Sequence, residues 1–172
     1  MSSIPIPKHP VIVGVAPGQP RHVVEQAAHF AARFGTELVC VFVDQSRLPL
    51  KEKADGSVVS APIDPDSYDA AETTFDTGLA AELEQLLQGS GVSWRTLVLA
   101  GEVSAALGRL ADRLDASMIV VGTHERSVGG SVQEFFNRSV ATHLSHRQIR
   151  PVVVIPAHAP GIGSDLPRLE AW

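Results

Sequence analysis

The chain has 172 residues, 44% of them hydrophobic and 19% charged, with 14 basic against 19 acidic side chains for a net charge of −5. That length points to one domain with a sizeable core, and the composition excludes wholesale disorder. An acidic average repels polyanions, and no apolar run approaches the ~18 residues that cross a bilayer. The residues before Pro10 lack the apolar core of a secretory signal, and the single Cys40 leaves no internal disulfide. A soluble cytoplasmic domain is expected, with no nucleic-acid and no membrane partner.

Val11–Val15 is a short β-branched run that stops at Pro17-Gly18-Gln19-Pro20 and reads as a buried strand. The period then changes. Val23, Val24, Ala27, Ala28, Ala31 and Phe34 fall on one helical stripe, ended by Gly35 where a left-handed cap is wanted. Leu38–Val43 is a second buried strand, closed by Asp44. Gln45–Ser67, rich in Pro, Asp, Ser and Lys, has no sustained period and is expected to be a long loop, functional or mobile. Asp69 and Glu72 match a capping box for a helix bearing Ala71, Phe75, Leu79, Leu83 and Leu87, ended by Gly89 and Gly91.

Trp94–Ala100 is a third strand, and Val103, Leu107, Leu110 and Leu114 mark a third helix. Met118–Val121 is a fourth strand, stopped by Gly122. A helix within Ser131–Arg147 carries Val132, Phe136, Val140 and Leu144 on one face. Val152–Ile155 is the last strand, and prolines at both of its ends suit an edge. Residues 10–156 form the expected domain, between tails at 1–9 and 157–172. Continuous apolar strands alternating with amphipathic helices imply an α/β fold, a doubly wound five-stranded parallel sheet covered on both faces.

In such sheets ligands sit beyond the carboxyl ends of the strands, at a switch point. That singles out Ala16–Gln19, Asp44 onward, Gly101–Glu102 and Gly122–Gly130. The last segment offers glycines and small hydroxyl side chains ahead of a helix, which can present backbone N–H groups to an anion or can simply supply left-handed turns. Ser131 and Glu134 fit a capping box, so Gly129 and Gly130 are either an anion site at a helix N-terminus or the lead-in to an ordinary capped helix. His143 and His146, three apart with no nearby Asp, Glu or Cys, read as solvent-facing rather than metal-binding, His124 as a surface histidine, and Cys40 as an inert core thiol. With no nucleophile–base pair, metal cluster or dinucleotide fingerprint, neither catalysis nor a metal is expected.

Val11-Ile12-Val13-Gly14-Val15, Met118-Ile119-Val120-Val121-Gly122-Thr123, and Arg138-Ser139-Val140-Ala141 followed by Pro151-Val152-Val153-Val154-Ile155-Pro156 together resemble a universal stress protein domain over about Pro10 to Pro156. The resemblance implies the adenine nucleotide α-hydrolase-like sheet with strand order 3-2-1-4-5. It also implies a homodimer paired through its last strand, here Val152–Ile155, a short apolar edge that calls for a partner on physical grounds too. One branch of the family binds ATP or AMP through Gly, two residues, Gly, nine residues, Gly, then Ser or Thr; another lacks the pattern. Here Gly122 matches the first glycine, Glu125 replaces the second, and Arg138 replaces the third, ahead of Ser139 and Val140. Twelve residues separate Glu125 from Arg138 where the family has nine.

The family's acid after the first strand is Ala16 here, while Phe42 and Val121 correspond to the apolar wall on the adenine side. The candidate nucleotide site is therefore Ala16, Phe42, Val121, Gly122, Thr123, Gly129, Gly130, Arg138, Ser139 and Val140. Glu125 would repel a polyphosphate, and side chains at 125 and 138 block close backbone approach. Arg126 and Arg138 either offset that repulsion or pair with Glu125. The expectation is a non-enzymatic regulatory or partner-binding domain that requires no cofactor. The alternative is an ATP- or AMP-binding protein with a modified phosphate loop.

Overall fold

The computed structural model describes residues 9–64, 66, 74–123 and 138–157. Five parallel strands form one sheet: β1 (Val11–Gly14), β2 (Leu38–Asp44), β5 (Trp94–Ala100), β6 (Met118–Gly122) and β7 (Val152–Ile155). Their order is β5-β2-β1-β6-β7, which is 3-2-1-4-5 when only these strands are counted, as expected. Val11 pairs with Leu38 on one side and Met118 on the other, and Ile119 pairs with Val152, which leaves β7 at an edge. Four helices connect them: α1 (Arg21–Phe34), α2 (Thr77–Leu87), α3 (Val103–Leu114) and α4 (Arg138–Arg147). Among the described residues no helix is long and apolar enough to cross a membrane.

Strand alternation divides the interior into two cores. Ile12, Val39, Val41, Leu99, Ile119 and Val121 meet Leu107, Leu110 and Leu144 of α3 and α4. Val11, Val13, Leu38, Cys40 and Val120 meet Val23, Ala27, Ala31, Leu79 and Leu83 of α1 and α2. Both faces of every central strand are thereby dry, and that is why these segments are continuously apolar instead of alternating. Gly35 ends α1 at φ +62°, where its N–H reaches the carbonyls of Ala31 and Ala32. His9, assigned to the tail on sequence, is anchored: its carbonyl accepts from Thr36 Oγ1 and Ser117 Oγ at 2.7 Å each.

Two connections depart from the sequence reading. The expected loop at 45–67 contains an antiparallel hairpin, β3 (Arg47–Glu52) and β4 (Val58–Pro62), with a bulge at Leu50. The bulge and Pro49 break the period of two, and two of its inward anchors are charged, so no apolar alternation announces it. Glu52 accepts from Arg109 Nε at 2.8 Å and Arg113 Nη2 at 2.7 Å on α3. The second helix begins at Thr77, where the Asp76 carboxylate accepts from Leu79 N at 2.7 Å, and Phe75 precedes that cap. Asp69, Ala71 and Glu72 lie outside the described residues, as do Ser131, Val132, Glu134 and Phe136.

Hydrogen bonding from Arg113, against some desolvation and with help from Arg109, holds the Glu52 carboxyl below its ordinary range. A lowered carboxyl stabilises the fold above its unfolded value, and that contribution disappears as pH falls through the folded value. Glu52→Gln is therefore expected to cost up to about 1 kcal/mol in urea unfolding at neutral pH. The difference from wild type should vanish in strongly acidic buffer; a gap that persists there would mean packing, not charge, holds the hairpin.

Candidate functional site

β2 and β5 lie to one side of β1 while β6 and β7 lie to the other, so the switch-point crevice opens between the carboxyl ends of β1 and β6. Its rim on the β1 side is a tight turn. Gln19 N donates to the Ala16 carbonyl at 3.1 Å, with Pro17 second and Gly18 third at φ +74°. This is type II geometry, which needs positive φ at its third residue. The turn folds Gln19 back over the strand it follows, and its Nε2 donates to the Gly14 carbonyl at 3.2 Å. On the β6 side, a Cβ at Gly122 would lie 2.9 Å from Gln19 Nε2 and 3.0 Å from Val23 Cγ2. The missing side chain at Gly122 gives Val23 of α1 and the Gln19 amide room to approach the end of β6.

A strap closes the next position. Thr123 N donates to the Ile155 carbonyl at 2.9 Å, Ala157 N donates to Thr123 Oγ1 at 2.8 Å, and His22 Nε2 donates to the Pro156 carbonyl at 2.6 Å. Across the sheet, Glu102 caps α3: its carboxylate accepts from Ser104 N and Ala105 N at 2.9 Å each and from Ser104 Oγ. Desolvation raises the Glu102 carboxyl, but the hydrogen bonds from Ser104 and Ala105, with the Arg147 charge, outweigh it and leave the group below its ordinary range. The N–H groups with which this helix end could hold an anion are thus already taken by a resident carboxylate.

The sequence-derived residues do not all converge. Ala16, Val121 and Val140 share the core beneath α3 and α4, whereas Phe42 packs half-buried on the α1 and α2 face. Phe42 and Val121 therefore do not form one apolar wall: with Val41 paired to Gly14, the pleat sends Phe42 to the other side of the sheet. Gly122 ends β6 and Thr123 follows it, both at the crevice. Arg138 and Ser139 open α4, and Gly129 and Gly130, with His124, Glu125 and Arg126, lie outside the described residues.

His143 and His146 are exposed, and no group of three His, Cys, Asp or Glu converges among the described residues. Cys40 is fully buried, and desolvation pushes its thiol up to about 12, so it carries no thiolate at neutral pH. Sequence reasoning singled out the Ala16–Gln19 segment but gave the Gln19 side chain no role, and it missed His22. The Pro17-Gly18 pair was a usable signal for Gln19, since it dictates a turn that returns the next side chain. Nothing local signals His22, whose partner is 134 residues away.

Comparison with known proteins places these features in a family. The model of the universal stress protein family matches residues 8–156. A universal stress protein from Archaeoglobus fulgidus superposes with a TM-score of 0.56 at 21% identity, covering 86% of this chain and 98% of that one. A universal stress protein solved in complex with cAMP gives 0.55 at 18% identity, over 88% and 98%. The Archaeoglobus fulgidus universal stress protein in complex with dAMP gives 0.51 at 19% identity, over 86% and 97%. At these identities the structures speak for the fold alone. No curated protein matches the chain. With the family's model spanning the whole described fold, and with its sheet order reproduced strand for strand, the chain belongs to the universal stress protein family.

Proposed function

We propose that the chain is a non-enzymatic, cytoplasmic, homodimeric universal stress protein that acts by binding a partner, and that its strand-end crevice has lost tight adenine-nucleotide binding. One observation supports this reading: the Gln19 carboxamide is bonded to the Gly14 carbonyl and lies against Gly122, at the carboxyl ends of β1 and β6 where ligands sit in open parallel sheets. The sequence adds Ala16 in place of the family's acid and Glu125 in place of its second glycine. Two unit charges about 4 Å apart interact at ~4 kcal/mol in a surface-like dielectric, about half of a micromolar binding energy. The polar groups at the strand ends also support a non-catalytic role, because Gln19, Thr123 and Glu102 are engaged in hydrogen bonds that hold the chain itself. Dimerisation is supported by β7, an apolar edge strand with Val154 43% exposed.

A second reading, an ATP- or AMP-binding protein, is favoured by the relatives solved with cAMP and dAMP. In it Arg126, Arg138 and the Gly129–Ser131 segment serve the phosphates. Titration calorimetry with ATP, AMP and cAMP at low salt separates the two. On the first reading no nucleotide binds below a dissociation constant of about 10 μM, or about −7 kcal/mol; tighter binding favours the second.

Two substitutions test the cause. Gln19→Ala, which empties the crevice, and Glu125→Gly, which removes the repulsion, should each strengthen nucleotide binding by about tenfold or more, a gain of at least ~1.4 kcal/mol. Unchanged affinity in both would show that neither group closes the site. Native mass spectrometry checks the β7 pairing: a dimer free of nucleotide is expected, and Val154→Lys should dissociate it.

A further inference from the structure

The outward face of the β3–β4 hairpin breaks the usual alternation of a half-exposed sheet, where the water side is polar. Cross-strand pairing sets Leu48 opposite Ala61 and Lys51 opposite Val59, with Leu50 as the extra residue of the bulge. Ile63 N donates to the Ser46 carbonyl at 2.9 Å and extends the ladder by one outward position. Leu48, Leu50, Val59, Ala61 and Ile63 thus make an apolar strip facing water. Leu48 is 52% exposed, Leu50 67% and Ile63 54%, half of the six large hydrophobic side chains exposed among the described residues.

The hairpin behind this strip is anchored. Arg109 and Arg113 hold Glu52, and Arg95 Nη1 donates to the Asp55 carbonyl at 2.9 Å. Gly56 sits so close to the core that a Cβ there would lie 2.5 Å from Leu110 Cδ1. Arg47, 6% exposed, donates to Ser60 Oγ and the Ser60 carbonyl. The strip is therefore a preorganised platform, with little ordering cost left for a binding event.

Charge is polarised along it. Lys51 and Lys53 stand at the turn end, Asp64 and Asp66 beyond the open end. Glu52 near the turn is paired with two arginines, Asp55 and Asp64 each accept from the backbone N–H two residues on, and Lys51 has no ion pair among the described residues.

We infer that this strip is a self-association surface, and that its occupant is the hairpin of a second copy packed face to face. A twofold axis lying in the contact and running across the strands sets each turn end over the other copy's open end. Lys51 of each copy then meets the Asp64 end of the other, while the exposed leucines and isoleucines cover one another. The axis that runs along the strands would set like charges together, so the polarity selects one arrangement. The strip offers well under the ~800 Å² per partner of a standard interface, so the association is weak, with a dissociation constant on the order of 10–100 μM. The hairpin packs beside β5 while β7 is the opposite edge of the sheet, so this contact is separate from any pairing of β7.

Sedimentation equilibrium of the full chain from about 1 to about 300 μM, carrying Val154→Lys to blunt the other edge, is the test. A reversible dimer is expected, weakened about tenfold or more by Leu50→Asp and by Ile63→Asp. Lys51→Glu should weaken it as well, and Lys51→Glu with Asp64→Lys should restore it, with circular dichroism confirming that each variant is folded. Three results would overturn the inference. They are a monomer throughout that range, a dimer that neither apolar substitution affects, and a charge pair whose reversal gives no rescue. The first is also what a surface reserved for a different protein would produce.

Discussion

Everything in this molecule is arranged around the burial of β1 on both faces. Val11, Ile12 and Val13 have no exposed surface, and successive side chains enter different cores. A parallel strand so placed needs helices above and below it, and each crossover must return the chain over one face or the other. The crossovers from β1 and from its neighbours leave in opposite directions, which opens a crevice at the carboxyl ends of β1 and β6 where no helix covers the sheet. The crevice is a consequence of topology, present whether or not anything binds there.

What occupies it is a matter of individual side chains. The Ala16–Gln19 turn sends a carboxamide across the opening, Gly122 makes room for it, and the strap from Ile155 to Ala157 is tied down by Thr123 and His22. At α3, the Glu102 carboxylate takes the N–H groups at the helix end. These contacts share a logic: polar groups left over at strand and helix ends are satisfied from within the chain.

The β3–β4 hairpin shows how an insertion is secured with few apolar contacts. Much of its grip on the domain is polar, through Glu52 and the Asp55 carbonyl, with Val58 and the close seating of Gly56 on Leu110 supplying the apolar part, while Arg47 ties its two strands together through Ser60. Its apolar side chains are consequently free to face outward. That inversion, charges inward and leucines outward, is the opposite of the pattern by which strands are recognised.

The sequence by itself determined the fold class, the five sheet strands and the helical stripes of α1 and α3, because continuous apolar runs and 3.6-residue stripes report burial directly. It also placed β7 at an edge through its flanking prolines, and it located Gly122 and Thr123 at the crevice. Tertiary structure alone decided the rest. The hairpin depends on arginines more than 50 residues away in sequence, α2 takes its cap from Asp76, and the face that Phe42 occupies follows from its register against β1. Gln19 comes up against the end of β6 at Gly122, a residue distant in sequence that has no side chain. Periodicity records which residues leave water, but which partners they meet is set by distance in space, and a linear chain carries no direct measure of that.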